Sequence, residues 1–204
     1  MFTFVKILKM NKTRLEAFSD GVIAIIITIM VLEIHVPETA DWNSFMGLLP
    51  ILFGYVLSFT FVGIYWNNHH HLLHTVTKIT PLIMWTNHNQ LFWLSLVPFA
   101  TAWMEKTHFS QFSVVVYAVL LSLCGVAYDF LRRAIIRSFG DNHNLKNALE
   151  QQNIKALAST ISYILSIIVA FWNTGISMCI FVLVAILWIV PSKAIEDVFA
   201  NKNK

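Results

Sequence analysis

The sequence predicts an all-α integral membrane protein of six transmembrane helices with both termini cytoplasmic. Three observations lead there. The 204 residues are 57% hydrophobic, with a mean hydropathy of +0.65, and only 12% are charged, about half the charge of a soluble domain. Several uncharged runs approach the ~20 residues that cross a bilayer as a helix. With six spans and the N-terminus inside, every Lys and Arg except Lys106 falls on the inner side; five or seven spans spoil this positive-inside asymmetry. No internal repeat is visible, so residues 1–204 read as one six-helix transmembrane domain. The basic residues lie between spans and form no continuous patch, which argues against nucleic acid as a partner and leaves the bilayer.

Each span has its own justification. The N-terminal MFTFVKILKMNK lacks a long apolar core with a small-residue cleavage site, so it reads as a short amphipathic surface segment, not a signal peptide. Span one runs from Arg14 to Ile34. Thr13 and Glu16 are spaced as a capping box, and His35-Val36-Pro37 ends the helix because the residue before proline is pushed out of the helical region. Span two, about Phe45 to Trp66, is uncharged, with Pro50, Gly54 and Gly63 available for bending or close packing. It continues as a polar extension through WNNHHHLLH, Trp66 to His74. Span three, about Pro81 to Met104, is wet in its first half (Asn87, His88, Asn89, Gln90) and apolar in its second. Span four, about Phe112 to Tyr128, leads into Asp129, Arg132, Arg133 and Arg137, which read as a helix end with inner-side anchors. A polar loop follows, then span five (Ala156 to Trp172), a tight turn at Asn173-Thr174-Gly175, and span six (Ile176 to Val190). Cys124 and Cys179 sit inside apolar runs and read as buried small hydrophobes, without ligand spacing.

Span one needs a special explanation. Arg14, Glu16 and Asp20 crowd one end, and ionisable groups in membrane helices usually face a bundle interior or a watery path. Ile25, Thr28, Ile29 and Leu32 are spaced by three and four and share one face. Asp20 lies about 140° around the axis from Ile25, so the two face different neighbours. From periodicity alone, an apolar stripe such as Ile25, Ile29 and Leu32 ordinarily faces lipid or a packed core. His70 and His74 have the i, i+4 spacing of zinc ligands, but no third ligand and no HExxH glutamate accompanies them. No metal or cofactor is therefore expected. Hydrogen bonding between helices or titration near neutrality suits these histidines better. No phosphate loop, nucleophile elbow or CxxC is present, so an enzyme is not expected.

The segment Arg14-Leu-Glu-Ala-Phe18-Ser19-Asp20 is similar to the R-x-x-x-F-S-D signature of the transmembrane protein 175 family, potassium channels of lysosomes with shorter bacterial relatives. The following GVIAIIITIMVLEI, Trp66-x-x-His69-His70 and Val97-Pro98-Phe99 also resemble the family pattern. The resemblance implies a homotetramer whose first helices line the pore, with a hydrophobic constriction in place of a carbonyl filter; no TVGYG-type loop is present. It implies Ile25 as the main constriction, further pore layers at Thr28, Ile29 and Leu32, and a link between Thr28 and potassium preference. Ala24 departs from the serine that some members carry before the constriction. Arg14, Phe18, Ser19 and Asp20 are implied to hold the pore helix against spans two and three, where Trp66, His69, His70 and Asn87 lie.

The resulting expectation is a weakly to moderately potassium-selective cation channel of a prokaryotic plasma (inner) membrane, passing potassium and other monovalent cations. Two other classes stay open. A proton-coupled secondary transporter would use Asp20 with His70 or His88 as a relay, and a non-conducting scaffold would show no flux.

Overall fold

The computed structural model describes residues 11–138 and 152–189, and all regular structure among them is helical. The helices are α1 (Lys12–Leu32), α2 (Trp42–His74), α3 (Pro81–Ser95), α4 (Val97–Lys106), α5 (Gln111–Ser138), α6 (Gln152–Ala170) and α7 (Thr174–Ile189). By length and composition α1, α2, α5 and α6 can cross a membrane, and α7 is a shorter apolar helix. With α3 and α4 as the two halves of one span, this is the expected six-span plan. The N-terminal surface segment, most of the polar loop after span four and the C-terminal tail lie outside the described residues.

The expected capping box does not start α1. Asn11 is the N-cap, and its side chain accepts from the Thr13 backbone N–H at 3.4 Å, while Glu16 pairs with Lys12 at 3.7 Å. Asn is at least as good an N-cap as Thr, so the helix starts at the earlier residue. Asp41 caps α2 by accepting from the Ser44 backbone N–H at 2.8 Å. That bond, helped by the Thr39 hydroxyl, holds the Asp41 carboxyl below its ordinary value. α2 has 33 residues, about 50 Å at 1.5 Å per residue, against a hydrocarbon core of ~30 Å. Its last turns, from Trp66 to His74, therefore stand beyond the apolar layer as a helical extension. The Lys12 ammonium donates to the His74 carbonyl at 2.7 Å, tying the start of α1 to the end of α2.

Span three is not one helix. It breaks at Leu96, between α3 and α4. Pro98 has no N–H to offer the Leu94 carbonyl, and its ring crowds the preceding turn, so the helix must restart. α4 leads into a turn in which His108 and Phe109 both adopt left-handed backbone (φ 49° and 56°), held by the Phe109 N–H donating to the Met104 carbonyl at 2.8 Å.

α5 packs against α3, α4 and α6 and contributes the fully buried Tyr117, Leu121 and Cys124 to the main core. Within that core the Thr101 hydroxyl donates to Ser58 at 2.8 Å, and Ser58 and Tyr117 share a further bond at 2.8 Å, pinning α2, α4 and α5 together. Gly54 serves close packing: a Cβ there would lie 2.6 Å from the Glu105 carboxylate, whereas Gly63 faces open space. A smaller core of Leu15, Leu72, Leu73, Ile83, Leu131 and Ile135 gathers one end of α1, α2, α3 and α5.

Two expectations need correction. Cys124 is buried, but Cys179 lies on the exposed face of α7; an apolar run without strong periodicity does not say which face a residue takes. Arg132 is not an interfacial anchor. It is 2% exposed and donates to Asp129 and to Asn153 at the start of α6, a tertiary partnership that sequence spacing does not reveal. Arg133 stays exposed and pairs with the other Asp129 oxygen.

Candidate pore helix and its polar anchor

α1 has two distinct faces. Leu15, Ser19, Ile23, Ile26 and Met30 are buried, spaced by three and four as one stripe against the bundle. Arg14, Phe18, Gly21, Ile25, Thr28 and Leu32 are exposed, alternating at intervals of four and three. Residues at this spacing share one face of the helix. Ile25 is 58% and Leu32 78% exposed, with Ile29 beside them. The Thr28 hydroxyl donates to the Ile25 carbonyl at 2.9 Å. Its proton is thus spent within the helix, and its oxygen lone pairs remain as acceptors on the exposed face.

A chain of buried polar groups holds the other face. Ser19, His69 and Asn87 are at most 1% exposed. His69 Nε2 lies 2.6 Å from Asn87 Oδ1, the Asn87 amide donates to Ser19 Oγ at 3.0 Å, and Ser19 Oγ donates to the Leu15 carbonyl at 2.9 Å. With Asn87 in this orientation its oxygen accepts, which puts the imidazole proton on Nε2. The chain links α2, α3 and α1, while the other ring nitrogen of His69, Nδ1, is buried without a hydrogen-bond partner among the described residues. On the flank of α1 the Trp66 indole N–H donates to Asp20 Oδ1 at 3.0 Å. Phe18 stacks on His88 with ring centroids 5.6 Å apart.

The remaining candidates are not drawn into this anchor. Arg14 is exposed on the bare face. His70 is exposed and packs edge and face against Trp66, His71 and His74. Among the described residues neither His70 nor His88 hydrogen-bonds Asp20; His88 Nδ1 instead donates to the Met84 carbonyl at 2.8 Å. No group of three His, Cys, Asp or Glu among the described residues could hold a metal ion. Two features escaped the sequence reading. The exposed stripe extends below Ile25 through Gly21 and Phe18, which the four-three spacing could have signalled. Gln90 is fully buried, and among the described residues both polar atoms of its amide lack a hydrogen-bond partner, which no local pattern announces.

Fold and site together define a polytopic, all-helical membrane protein whose first helix is anchored on one face and bare on the other. Residues 14–98 match the family described as endosomal/lysosomal potassium channel TMEM175. The chain is 49% identical over 187 residues to a potassium channel of Chryseobacterium sp. (strain P1-3), an alignment spanning 92% of this chain and 97% of that one. It is 34% identical over 123 residues to the endosomal/lysosomal proton channel TMEM175 of Gallus gallus, covering 52% of this chain and a quarter of that longer protein. It shares its fold with the crystal structure of a lysosomal potassium-selective channel TMEM175 homolog from Chamaesiphon minutus, with a TM-score of 0.77, 24% identity, and coverage of 87% of this chain and 95% of that one. The chain belongs to the TMEM175 family.

Proposed function

We propose that this protein is a potassium-selective cation channel in which four copies of α1 surround the pore and Ile25 forms the constriction. The observation that carries the reading is the bare stripe of α1, in which Gly21, Ile25, Thr28 and Leu32 share one exposed face. The rigid attachment of the opposite face through Ser19, Asn87 and His69 supports it. So does the name potassium channel borne by the Chryseobacterium relative.

The mechanism follows from elementary wetting and ion hydration. A narrow ring of isoleucines expels water and blocks ions; a slightly wider ring fills and conducts. Because the other face of each α1 is fixed to α2 and α3, a small shift of those helices is passed to the ring. The lone pairs of Thr28, just past the ring, replace part of the hydration shell of a dehydrating cation, which gives a weak to moderate preference for potassium. The segregation of Lys and Arg supports both termini in the cytoplasm of a prokaryotic cell, with the six spans in its plasma membrane. The protein is not an enzyme in this reading, and it needs no cofactor or structural metal.

The proton-coupled transporter reading has less support. Its relay needs Asp20 in a proton chain with His70 or His88, yet the Asp20 carboxylate accepts from Trp66 and the two histidines turn elsewhere. Flux into liposomes containing the purified protein tests both. A channel gives potassium flux that grows linearly with the driving force and exceeds sodium flux. Saturation with concentration, together with dependence on a proton gradient, would favour the transporter, and no flux would favour a scaffold.

A further inference from the structure

We propose that a cavity between α2, α5 and α6 binds one anionic phospholipid of the leaflet on the Arg132–Arg133 side, with its phosphate at Arg133 and an acyl chain along the cavity. This goes beyond ion conduction and requires only that the helices span a bilayer.

The cavity has a volume of about 550 Å³, within the range of pockets that hold organic ligands. Its two ends differ in chemistry. At one end lie Phe61, Ser122 and Tyr163, with the Phe61 and Tyr163 rings 6.4 Å apart. At the other lie Asn68, Asp129, Arg132, Arg133 and Asn153. On α5 the lining runs from Ser122 to Arg133, about 16 Å at 1.5 Å per residue. That is about half of a ~30 Å hydrocarbon core, the depth of one leaflet. The apolar end sits near the middle of span four, and the charged end sits where the apolar run gives way to Asp129 and the arginines. An amphiphile with one charged head and one leaflet-deep chain matches this profile better than a fully polar solute does.

The cavity opens to the surroundings between α5 and α6, since Val126 and Arg133 on one side and Leu157 and Thr160 on the other are exposed. At the charged end Arg132 and Arg133 both donate to Asp129, and Arg133 is the exposed one of the two. Arg133 uses its Nε on Asp129, and its side chain is 65% exposed. The rest of its donor fork is therefore free to reach a phosphate in the bidentate way that guanidinium groups favour. Basic pockets between transmembrane helices are the usual seats of anionic lipid headgroups.

The test is native mass spectrometry of the full-length protein, released from bilayers of equal phosphatidylglycerol and phosphatidylcholine with identical acyl chains. One exposed basic residue near the surface, Arg133, predicts roughly fivefold enrichment of the anionic lipid. Arg133→Gln should abolish the enrichment while leaving the total lipid count unchanged. Thr160→Trp, which fills the mouth of the cavity from an exposed position, should remove the retained lipid of either kind. Inorganic phosphate added in excess should not displace the lipid. Equal retention of both lipids, or enrichment that survives Arg133→Gln, would mean ordinary annular lipid and would overturn the proposal. Displacement by inorganic phosphate would mean a free-anion site and would overturn it too. The readout is bound lipid, so its failure is distinguishable from failure of the channel reading, which is read as flux.

Discussion

The Trp66 indole donates to the Asp20 carboxylate at 3.0 Å, on a side of α1 about 140° around the axis from Ile25. The Asp20 carboxylate is therefore turned toward α2, and Ile25 is left on the bare face. A carboxylate so placed orients the helix. Trp66→Phe keeps the ring and removes the donor. Because Trp66 is 42% exposed, the loss should be about 1 kcal/mol, below the range for hydrogen bonds to buried charged groups. A lower thermal unfolding midpoint in detergent, with assembly retained, is the expected outcome.

The buried chain through Asn87 should matter more. Asn87→Ala leaves the His69 Nε2 proton without an acceptor in a site that is almost fully closed to solvent, at a cost of about 1–3 kcal/mol. Ser19→Ala also orphans a donor, the Asn87 amide, but should cost less, because Asn87 keeps its bond to His69 and the Leu15 carbonyl remains in the helix ladder. Unfolding midpoints that rank wild type above Ser19→Ala above Asn87→Ala would agree; midpoints of both variants equal to wild type would show that the chain does not hold α1.

Gln90 offers the opposite test. Its amide is fully buried and has no hydrogen-bond partner among the described residues, so Gln90→Met exchanges two unsatisfied polar atoms for a flexible apolar side chain of similar length. Stability should stay level or rise by about 1 kcal/mol. A clear drop in the unfolding midpoint would mean that the amide is satisfied in the membrane by water or another polar group.

Thr28→Val removes the hydroxyl from the exposed stripe and keeps the shape. In the channel account the ratio of potassium to sodium flux should fall, while expression and thermal stability stay unchanged, because Thr28 bonds only within its own helix. A ratio equal to wild type would take Thr28 out of the selectivity argument.

Much of this architecture is legible in the sequence because a bilayer imposes a simple rule. Apolar runs of sufficient length mark the spans, and the segregation of Lys and Arg limits their number. That Ile25, Thr28 and Leu32 share one face of α1 was also readable, since they obey helical spacing. Tertiary choices were not. Pro98 sits inside an unbroken apolar run, so hydropathy gives one span where the missing N–H gives two helices. Both Asn11 and Thr13 are good caps, and only the folded chain selects Asn11. Arg132 reads as a surface anchor until α6 brings Asn153 beside it. The partner of Asp20 depends on the angle between α1 and α2, which no residue spacing encodes.

The central claim is that Ile25 forms the constriction of a pore lined by α1. Its most direct test is potassium flux into liposomes for Ile25→Asn, compared with wild type and with Leu183→Asn, a change at a similarly exposed position on α7. The account predicts that Ile25→Asn hydrates the ring and raises the flux, with less preference over sodium, while Leu183→Asn conducts as wild type does. Flux in Ile25→Asn equal to wild type, from protein of equal amount and fold, would contradict the assignment of α1 as the pore helix.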